Sequence, residues 1–364
     1  MVNAMRVPSR IACEIDFDRD GKQHGFLRVP VSTNKAAYAF VPVPIVCIKG
    51  GNGATILLVA GNHGDEYEGQ VALCKLVMAI EPADIKGRII ILPAANFPAA
   101  LNGTRTSPLD DGNLNRAFPG DPDGGPTSMI AHYIESHLLP LCDGVVDLHS
   151  GGSTLQYVPC ALATLRGADP KRYGELASAL LAFGAPISYF SEGGEREDRM
   201  LSAAADRAGV IYTETELGGC GTVSRHALKM AEEGLRRMLA YYGILEWPNA
   251  ASAPGGRIMR VISGKDYLYC PENGVFEPWV DLGDMVESGQ TAGLLHFPDT
   301  PWREPVAVRF ASSGFVICKR VPALSQRGHC LFHLAADLSE QELATLRASV
   351  TATYSVPVGG TRPS

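Results

Sequence analysis

Residues 55–69 run Thr55-Ile56-Leu57-Leu58-Val59-Ala60-Gly61-Asn62-His63-Gly64-Asp65-Glu66-Tyr67-Glu68-Gly69, and this stretch decides the fold. Its first six residues are uniformly nonpolar but for the threonine, which is typical of a β-strand buried on both faces of a sheet. A loop of glycine, asparagine and histidine follows, and a helical pattern begins near Asp65. We expect the core-facing positions of this helix to be Val71, Cys74, Val77 and Met78.

The same alternation of strand and helix continues along the chain. Strand-like apolar runs are predicted at residues 88–93, 144–148, 157–163 and 210–214. Helical patterns are predicted at residues 127–139, 170–183, 198–208 and 224–242. Repeated strand–helix units predict an α/β domain with a parallel or mixed sheet. In such sheets, ligand sites lie beyond the carboxyl ends of the strands.

The composition changes after Trp247. Residues 1–247 are predicted to form the α/β domain, and residues 248–257, rich in proline, glycine and small residues, are predicted to be a linker. Residues 258–338 contain short β-rich runs with a faint internal repeat, which indicates a small β-barrel or sandwich domain. The remaining residues 339–364 are expected to be a short helix over 339–348, with a capping box at Ser339 and Glu342, and a flexible tail.

Bulk composition excludes several classes of protein. The 364 residues carry a formal net charge of −7, which argues against a nucleic-acid-binding surface. No apolar run approaches the ~18 residues of a membrane span, and no signal peptide is recognisable. The nine cysteines are scattered and form no Cys-x-x-Cys pair, as expected for reduced thiols. We therefore expect a cytoplasmic protein without a membrane or nucleic-acid partner, and we leave a homo-oligomer open.

Two histidines and one glutamate follow predicted strands. His63 and Glu66 are three residues apart in the turn after the strand at 55–60, and His149 follows the strand at 144–148. Since the carboxyl ends of parallel strands meet at one edge of the sheet, we expect these side chains to lie close together. Two imidazoles, one carboxylate and a water make the open tetrahedral zinc site of hydrolases. Asp147 either orients an imidazole ring or only fixes the loop.

Further polar residues surround this predicted site. Arg105 and the pair Asn115-Arg116 lie in glycine-containing loops, and arginine is well suited to bind a carboxylate. Alternatively, these arginines are surface residues of a solvated loop. Glu214 and Glu216 end the strand at 210–214, where a carboxylate could accept a proton from a metal-bound water. We take the two glutamates to point to opposite faces of the strand, so that only one faces the metal.

In this order, His-x-x-Glu, Arg, Asn-Arg, His and Glu-x-Gly resemble the pattern of the aspartoacylase and succinylglutamate desuccinylase family over residues 45–245. The resemblance implies a three-layer, zinc-carboxypeptidase-like α/β fold with a mixed sheet. It implies one Zn²⁺ per chain, held by His63, Glu66 and His149.

The resemblance also implies roles for the other residues. Glu216 is the implied general base and acid, because Leu217 and Gly218 follow it as in the family; Glu214 is the alternative. Arg105 would polarise the scissile carbonyl, while Asn115 and Arg116 would bind the α-carboxylate of a small N-acyl amino acid. The residues around these motifs, among them 61–69 and 147–152, resemble the branch of the family that deacetylates Nα-acetyl-L-2,4-diaminobutyrate in ectoine breakdown. Cys220 departs from that pattern, since a further glycine is expected there.

The sequence also bears on other functions. A nucleotide-binding loop at Gly61, Gly64 and Gly69 is disfavoured, because no Gly-Lys-Ser/Thr follows and acidic residues would repel phosphate. The C-terminal region resembles biotinyl and lipoyl domains, but no lysine lies between Lys265 and Lys319, which argues against a carrier. Deacylases of N-acetylaspartate or N-succinylglutamate type, a peptidase of the same fold and a non-catalytic metal-binding protein remain as alternatives.

Overall fold

The computed structural model describes residues 8–193, 198–247, 256–261 and 264–354. The strands that precede residue 247 are β1 Ala12–Cys13, β2 Gly21–Thr33, β3 Ala36–Gly50, β4 Thr55–Ala60, β5 Gly87–Leu92, β6 Gly144–His149, β7 Leu155–Tyr157, β8 Cys160–Thr164, β9 Ile187–Ser191 and β10 Ile211–Glu216. The later strands are β11 Arg257–Val261, β12 Tyr267–Tyr269, β13 Gly274–Pro278, β14 Met285–Val286, β15 Thr291–His296, β16 Val306–Arg309, β17 Gly314–Arg320, β18 Leu324–Ser325 and β19 Cys330–Asp337. The α-helices are α1 Tyr67–Ala79, α2 Phe97–Asn102, α3 Pro126–Tyr133, α4 Pro170–Phe183, α5 Leu201–Arg207, α6 Arg225–Tyr241 and α7 Glu340–Tyr354.

The centre of the molecule is a mixed β-sheet. Within the described residues its strands follow the order β1-β2-β3-β5-β4-β6-β10-β8-β9-β11-β19-β17-β14, with β12 and β7 attached at β19 and β17. Strands β5, β4, β6 and β10 run parallel to one another, whereas β3 and β8 flank them antiparallel. The predicted mixed α/β sheet is confirmed. The parallel block brings the carboxyl ends of β4, β6 and β10 to one edge.

Helices cover both faces of this sheet and complete three layers. Leu73 of α1, Leu180 of α4 and Leu235 of α6 pack in one buried apolar cluster on one face. Ile130 of α3 and Leu201 of α5 belong to a second cluster on the opposite face. Because the strands are covered on both sides, their sequences are continuous apolar runs rather than alternating ones.

The predicted core face of α1 is wrong in part, although Val77 is partly buried against the apolar cluster as predicted. Cys74 is exposed and Met78 is 80% exposed, while Leu73 and Leu76 are buried against the sheet. The buried residues Ala72, Leu73 and Leu76, with Ile80 at the C-terminal cap, form an apolar stripe beside the predicted one. Periodicity alone gave two apolar stripes on one helix, and only packing against the sheet selected between them.

Two other predicted helices differ from the observed ones. The helix predicted over 127–139 is interrupted, because α3 passes into a π-helical turn at Ile134–Leu138 and then a 3₁₀ turn at Leu139–Leu141. The terminal helix α7 extends beyond the predicted 339–348. Its predicted capping box is confirmed, since the backbone N–H of Glu342 donates to Ser339 Oγ, and the backbone N–H of Ser339 donates to the Glu342 carboxylate.

The C-terminal region is β-rich, as predicted. Strands β16-β15-β13-β18 form a separate antiparallel sheet, and β11 continues the central sheet through parallel pairing with β9. The proposed division between residues 247 and 258 stays a prediction. Most of the predicted linker (residues 248–255) and the predicted tail beyond residue 354 lie outside the described residues.

Candidate metal centre and active site

His63, Glu66 and His149 converge at the carboxyl edge of the parallel strands. One nitrogen or oxygen ligand atom from each of the three lies within 4.8 Å of the others, and all three residues are buried. His63 Nδ1 is 2.7 Å from Glu66 Oε1, and His149 Nδ1 is 2.8 Å from Glu66 Oε2. Two imidazole nitrogens and one carboxylate are a donor set that can bind a metal cation.

The backbone between β4 and α1 places two of these groups. Glu66 is the residue at the N-terminus of α1, and His63 lies in the turn that leads to it. Gly64 has no room for a side chain, because a Cβ there would stand 2.0 Å from the backbone carbonyl carbon of Ala99. The turn can pack this closely on α2 only with glycine at that position.

Each imidazole is held through its outer nitrogen. His63 Nε2 lies 3.1 Å from Asn113 Oδ1, and His149 Nε2 lies 3.0 Å from Asp147 Oδ2. Since both partners are acceptors, each Nε2 carries a hydrogen and donates it. The Nδ1 lone pairs are then directed toward Glu66, as in metal sites with neutral histidine ligands.

The charges also fit a cation. Burial alone would lower the pKa of His149, but the carboxylates of Asp147 and Glu66 outweigh it and raise that pKa well above its usual value. Burial alone would raise the pKa of Glu66, whereas His63 and His149 lower it. Burial lowers the pKa of His63 despite Glu66, which favours its neutral form. The carboxylates of Asp147 and Glu66 favour a positive charge beside His149, and a divalent metal ion would supply it.

Asp147 lies at the centre of a buried polar network beneath the site. Asn62 Nδ2 donates to both of its carboxylate oxygens, at 2.9 and 2.8 Å, and the Tyr212 hydroxyl donates to Oδ2 at 2.8 Å. Asp147 is completely buried. Of the two interpretations of Asp147, the contact with His149 favours the one in which it orients the ring.

The prediction that Glu214 and Glu216 face opposite sides of the sheet is wrong. Side chains alternate along a strand with a period of two, so residues two apart share a face. The pKa values of both glutamates respond to His149 and to Glu66, as expected for neighbours on one face. They differ in depth instead, because Glu214 pairs with Asp147 whereas Glu216 pairs with His149 at the end of the strand.

The two carboxyl groups have different surroundings. Burial raises the pKa of Glu214 to about 7, and the Tyr212 hydroxyl is 3.3 Å from its Oε2. Burial, and then the charge of Glu66, raise the pKa of Glu216 well above its usual value. Its Oε2 is buried without a hydrogen-bond partner in the described structure. Glu216 is thus the less restrained of the two and the nearer to the sheet edge.

Three predicted site residues lie around this centre. Arg105 is half exposed at the rim, with Nη1 3.2 Å from His63 Nδ1 and 3.6 Å from Glu66 Oε1. Asn115 is buried; its Nδ2 is 3.3 Å from His149 Nε2, and its Oδ1 accepts from the backbone N–H of Leu201 at 2.9 Å. Arg116 is exposed, and its Nη1 donates to the backbone oxygen of Asn115 at 2.7 Å.

Sequence reasoning missed the roles of Asn62, Asn113 and Tyr212. Asn62 and Asn113 stand in the same glycine-containing loops as His63 and Asn115, so their positions were a usable signal. Tyr212 is two residues before Glu214 on the same strand face, which also could have indicated it.

Comparison with known proteins decides the family. Residues 52–242 match the model of the succinylglutamate desuccinylase/aspartoacylase catalytic domain. The chain is also 38% identical over 328 residues to the N-alpha-acetyl-L-2,4-diaminobutyric acid deacetylase of Halomonas elongata, covering 90% of this chain and 95% of that protein. The chain belongs to the succinylglutamate desuccinylase/aspartoacylase family. The predicted membership is confirmed, and with it the class of N-acyl amino acid deacylases, which are hydrolases.

Solved structures of this family superimpose over most of the chain. The product-bound ectoine utilization protein EutE (DoeB) from Ruegeria pomeroyi matches with a TM-score of 0.87 and 38% identity, covering 91% of this chain and 99% of that one. A succinylglutamate desuccinylase from Silicibacter sp. TM1040 matches with a TM-score of 0.86 and 38% identity, covering 91% of this chain and 100% of that one. A small-molecule acyl amino acid is the kind of substrate that fits these relatives. In the part of the chain that the structure describes, no helix is long and apolar enough to cross a bilayer.

Proposed function

We propose that the protein is a zinc-dependent deacetylase of Nα-acetyl-L-2,4-diaminobutyrate, as in ectoine degradation. The observation that carries the proposal is the convergence of His63, Glu66 and His149, with their ligand atoms within 4.8 Å of one another. Beside them lies Glu216 Oε2, which is buried and has no hydrogen-bond partner among the described residues. The substrate is taken from the Halomonas elongata relative and the Ruegeria pomeroyi ectoine utilization protein.

His63, Glu66 and His149 would hold one Zn²⁺ per chain. Bound there, zinc would supply Lewis acidity and lower the pKa of a coordinated water toward ~7. By accepting the Nε2 hydrogens, Asn113 and Asp147 would keep the Nδ1 lone pairs of the two imidazoles available to the ion. The carboxylate of Glu66 would offset part of the charge of the ion.

Glu216 would act as the general base and acid. It accepts a proton from the attacking water, and it later gives that proton to the nitrogen of the departing amine. Burial, and then the charge of Glu66, raise its pKa, so this carboxyl group holds a proton more readily than an exposed glutamate and is suited to give one to the amine. Glu214, held by Tyr212 and placed one pleat deeper, is the alternative base.

The remaining residues would bind the substrate. The half-exposed guanidinium of Arg105 would donate to the scissile carbonyl oxygen, where negative charge develops. Arg116 and Asn115 would bind the α-carboxylate. Because Asn115 Oδ1 already accepts from Leu201, only its amide N–H groups are suited to this contact.

A substrate panel tests the proposal. The zinc-loaded protein is assayed for free amine with N-acetyl, N-succinyl and N-formyl amino acids and with dipeptides. We expect about one zinc per chain and the highest kcat/KM for Nα-acetyl-L-2,4-diaminobutyrate. A higher value for N-acetylaspartate or N-succinylglutamate would transfer the assignment to those substrates, and preferential cleavage of dipeptides would indicate a peptidase. A protein that binds no zinc under zinc-replete conditions would refute the proposed chemistry.

The cytoplasm is the proposed compartment, because scattered cysteines without a pairing pattern are typical of reducing compartments. Cell fractionation with a reporter fusion would check it. A homo-oligomer stays a prediction, which light scattering on the purified protein can check.

A further inference from the structure

Glu68 is a buried carboxylate that the proposed reaction does not use. It lies in the first turn of α1, two residues after Glu66, and it is completely buried. No lysine, arginine or histidine forms a recorded ion pair with it among the described residues. A carboxylate in such a place needs hydrogen bonds to remain stable, so its partners reveal what it does.

The hydrogen bond of Glu68 lies on the segment that follows β10. Its Oε1 accepts from the backbone N–H of Ser224, at the start of α6, at 3.3 Å. Its Oε2 is buried and has no hydrogen-bond partner in the described structure. Because Glu66 stands at the N-terminus of the same helix, the Glu68 carboxylate ties the helix of a proposed metal ligand to the segment that follows Glu216.

Little space remains around the Glu68 carboxylate. A Cβ on Gly218 would lie 3.2 Å from Glu68 Oε1. The loop after β6 and the loop after β10 are joined to each other by backbone hydrogen bonds, including the one that Gly151 N–H donates to the Gly218 oxygen at 3.1 Å. The position of either loop therefore depends on the other.

The neighbouring acidic residues of the same segment hold only one of the loops. Asp65 Oδ2 accepts from the backbone N–H of Ser153 at 2.8 Å, and Glu66 Oε2 accepts from that of Ser150 at 3.2 Å. Both contacts fix the loop after β6. Within residues 65–68, Glu68 alone hydrogen-bonds the segment after β10, which begins directly after Glu216.

We infer that Glu68 is a positioning residue that sets the distance between Glu216 and the His63, Glu66 and His149 centre. This inference rests on the proposed function, because it concerns the turnover of that site. Chemistry is sensitive to displacements of about 1 Å between a base and the reacting atoms. Loss of the Glu68 contacts should therefore lower kcat more than it alters KM or zinc binding.

Three substitutions at one position separate geometry from charge. Glu68→Leu removes both acceptors, Glu68→Asp keeps the charge but withdraws the carboxylate by one methylene, and Glu68→Gln keeps the length and one acceptor oxygen. Glu304→Leu, at an exposed position in the C-terminal region, is the matched control. Each variant is measured for zinc content, kcat and KM on Nα-acetyl-L-2,4-diaminobutyrate, and for its melting temperature.

We expect Glu68→Leu and Glu68→Asp to lower kcat at least about tenfold while they still bind about one zinc per chain. We expect Glu68→Gln to keep most of the wild-type kcat. If Glu68→Leu does not fold, the comparison of Asp with Gln decides. Unchanged kcat per zinc-loaded chain in Glu68→Asp, or loss of zinc in parallel with activity, would overturn the inference. A wild-type kcat in Glu68→Asp together with a low kcat in Glu68→Gln would also overturn the inference, because the charge of the side chain and not its length would then matter.

The wild-type result separates the two claims. A zinc-loaded wild type that turns over normally while Glu68→Asp is equally active refutes the positioning role alone. A zinc-loaded wild type that cleaves no N-acyl amino acid refutes the proposed function and this inference together.

Discussion

Glu216 pairs directly with His149 in the parallel ladder of β10 and β6. The proposed base and a proposed metal ligand therefore leave the sheet side by side, each at the last residue of its strand. One step deeper, Glu214 pairs with Asp147. The sheet register thus produces two layers, one that faces the substrate and one that supports the ligands.

This layering predicts separate roles for the two glutamates. Glu216→Gln should keep its zinc and lose about 10²–10⁴-fold in kcat, because an amide cannot accept the proton of the attacking water. Glu214→Gln, a matched change one pleat away, should retain kcat within about tenfold. Zinc content and kcat are measured on both proteins. The reverse ranking of the two variants would transfer the base role to Glu214.

The metal ligands can be tested without the substrate. His63→Ala should bind zinc at least about 100-fold more weakly, since it removes a ligand where even the loss of an outer partner costs 10–100-fold. His296→Ala is the control, because His296 is half exposed and contacts Glu277 in the C-terminal sheet. Competition with a chromophoric chelator gives the zinc affinity. Equal affinities of the two variants would disprove the ligand role of His63.

Asp147 should tune the metal site from beneath. In Asp147→Asn the carboxylate that accepts the Nε2 hydrogen of His149 is replaced by a neutral amide, so we expect zinc affinity to fall about 10–100-fold. Tyr212→Phe removes a single hydrogen bond to the same carboxylate and should cost less. The same chelator titration measures both. Wild-type affinity in Asp147→Asn would show that the aspartate only fixes the loop.

A buried histidine in the C-terminal region predicts a dependence of stability on pH. His333 stacks on Tyr267 with ring centroids 4.0 Å apart, its two nitrogens have no hydrogen-bond partner in the described structure, and burial lowers its pKa to about 4. The unfolded chain titrates near the ordinary value of ~6.5 and so binds more protons at acidic pH. The stabilisation that the neutral imidazole provides is complete above pH ~6.5, and it declines as the pH falls toward about 4.

Replacement of this ring isolates its contribution. Between pH 7 and pH 5, His333 should account for a loss of about 2 kcal/mol in the free energy of unfolding. His333→Phe keeps an aromatic ring in the stack and removes the titration, so its unfolding free energy should fall by that much less over the same range. Urea denaturation at both pH values provides the comparison. Parallel pH dependence of the two proteins would contradict a neutral buried His333.

Local patterns were sufficient to predict much of the architecture. The apolar run of β4 and the glycines that follow it predicted a buried strand and a tight turn, because both depend on neighbouring residues only. The order of His63, Glu66, His149 and Glu216 also predicted the family. The core face of α1 was predicted only in part, because the helix carries two adjacent apolar stripes and only packing selects between them. The predicted opposite faces of Glu214 and Glu216 were wrong, since residues two apart on a strand share a face.

The sequence by itself determined the strand–turn–helix units, the residue types that can bind a metal, and their order along the chain. Only the tertiary structure decided that Asn113 accepts from His63, that Asn62 and Tyr212 support Asp147, and that Glu68 accepts from Ser224. The physical reason is sequence distance: these partners are brought together by the parallel register of β4, β6 and β10. Their contacts depend on displacements of an ångström, which residue patterns along one chain do not specify.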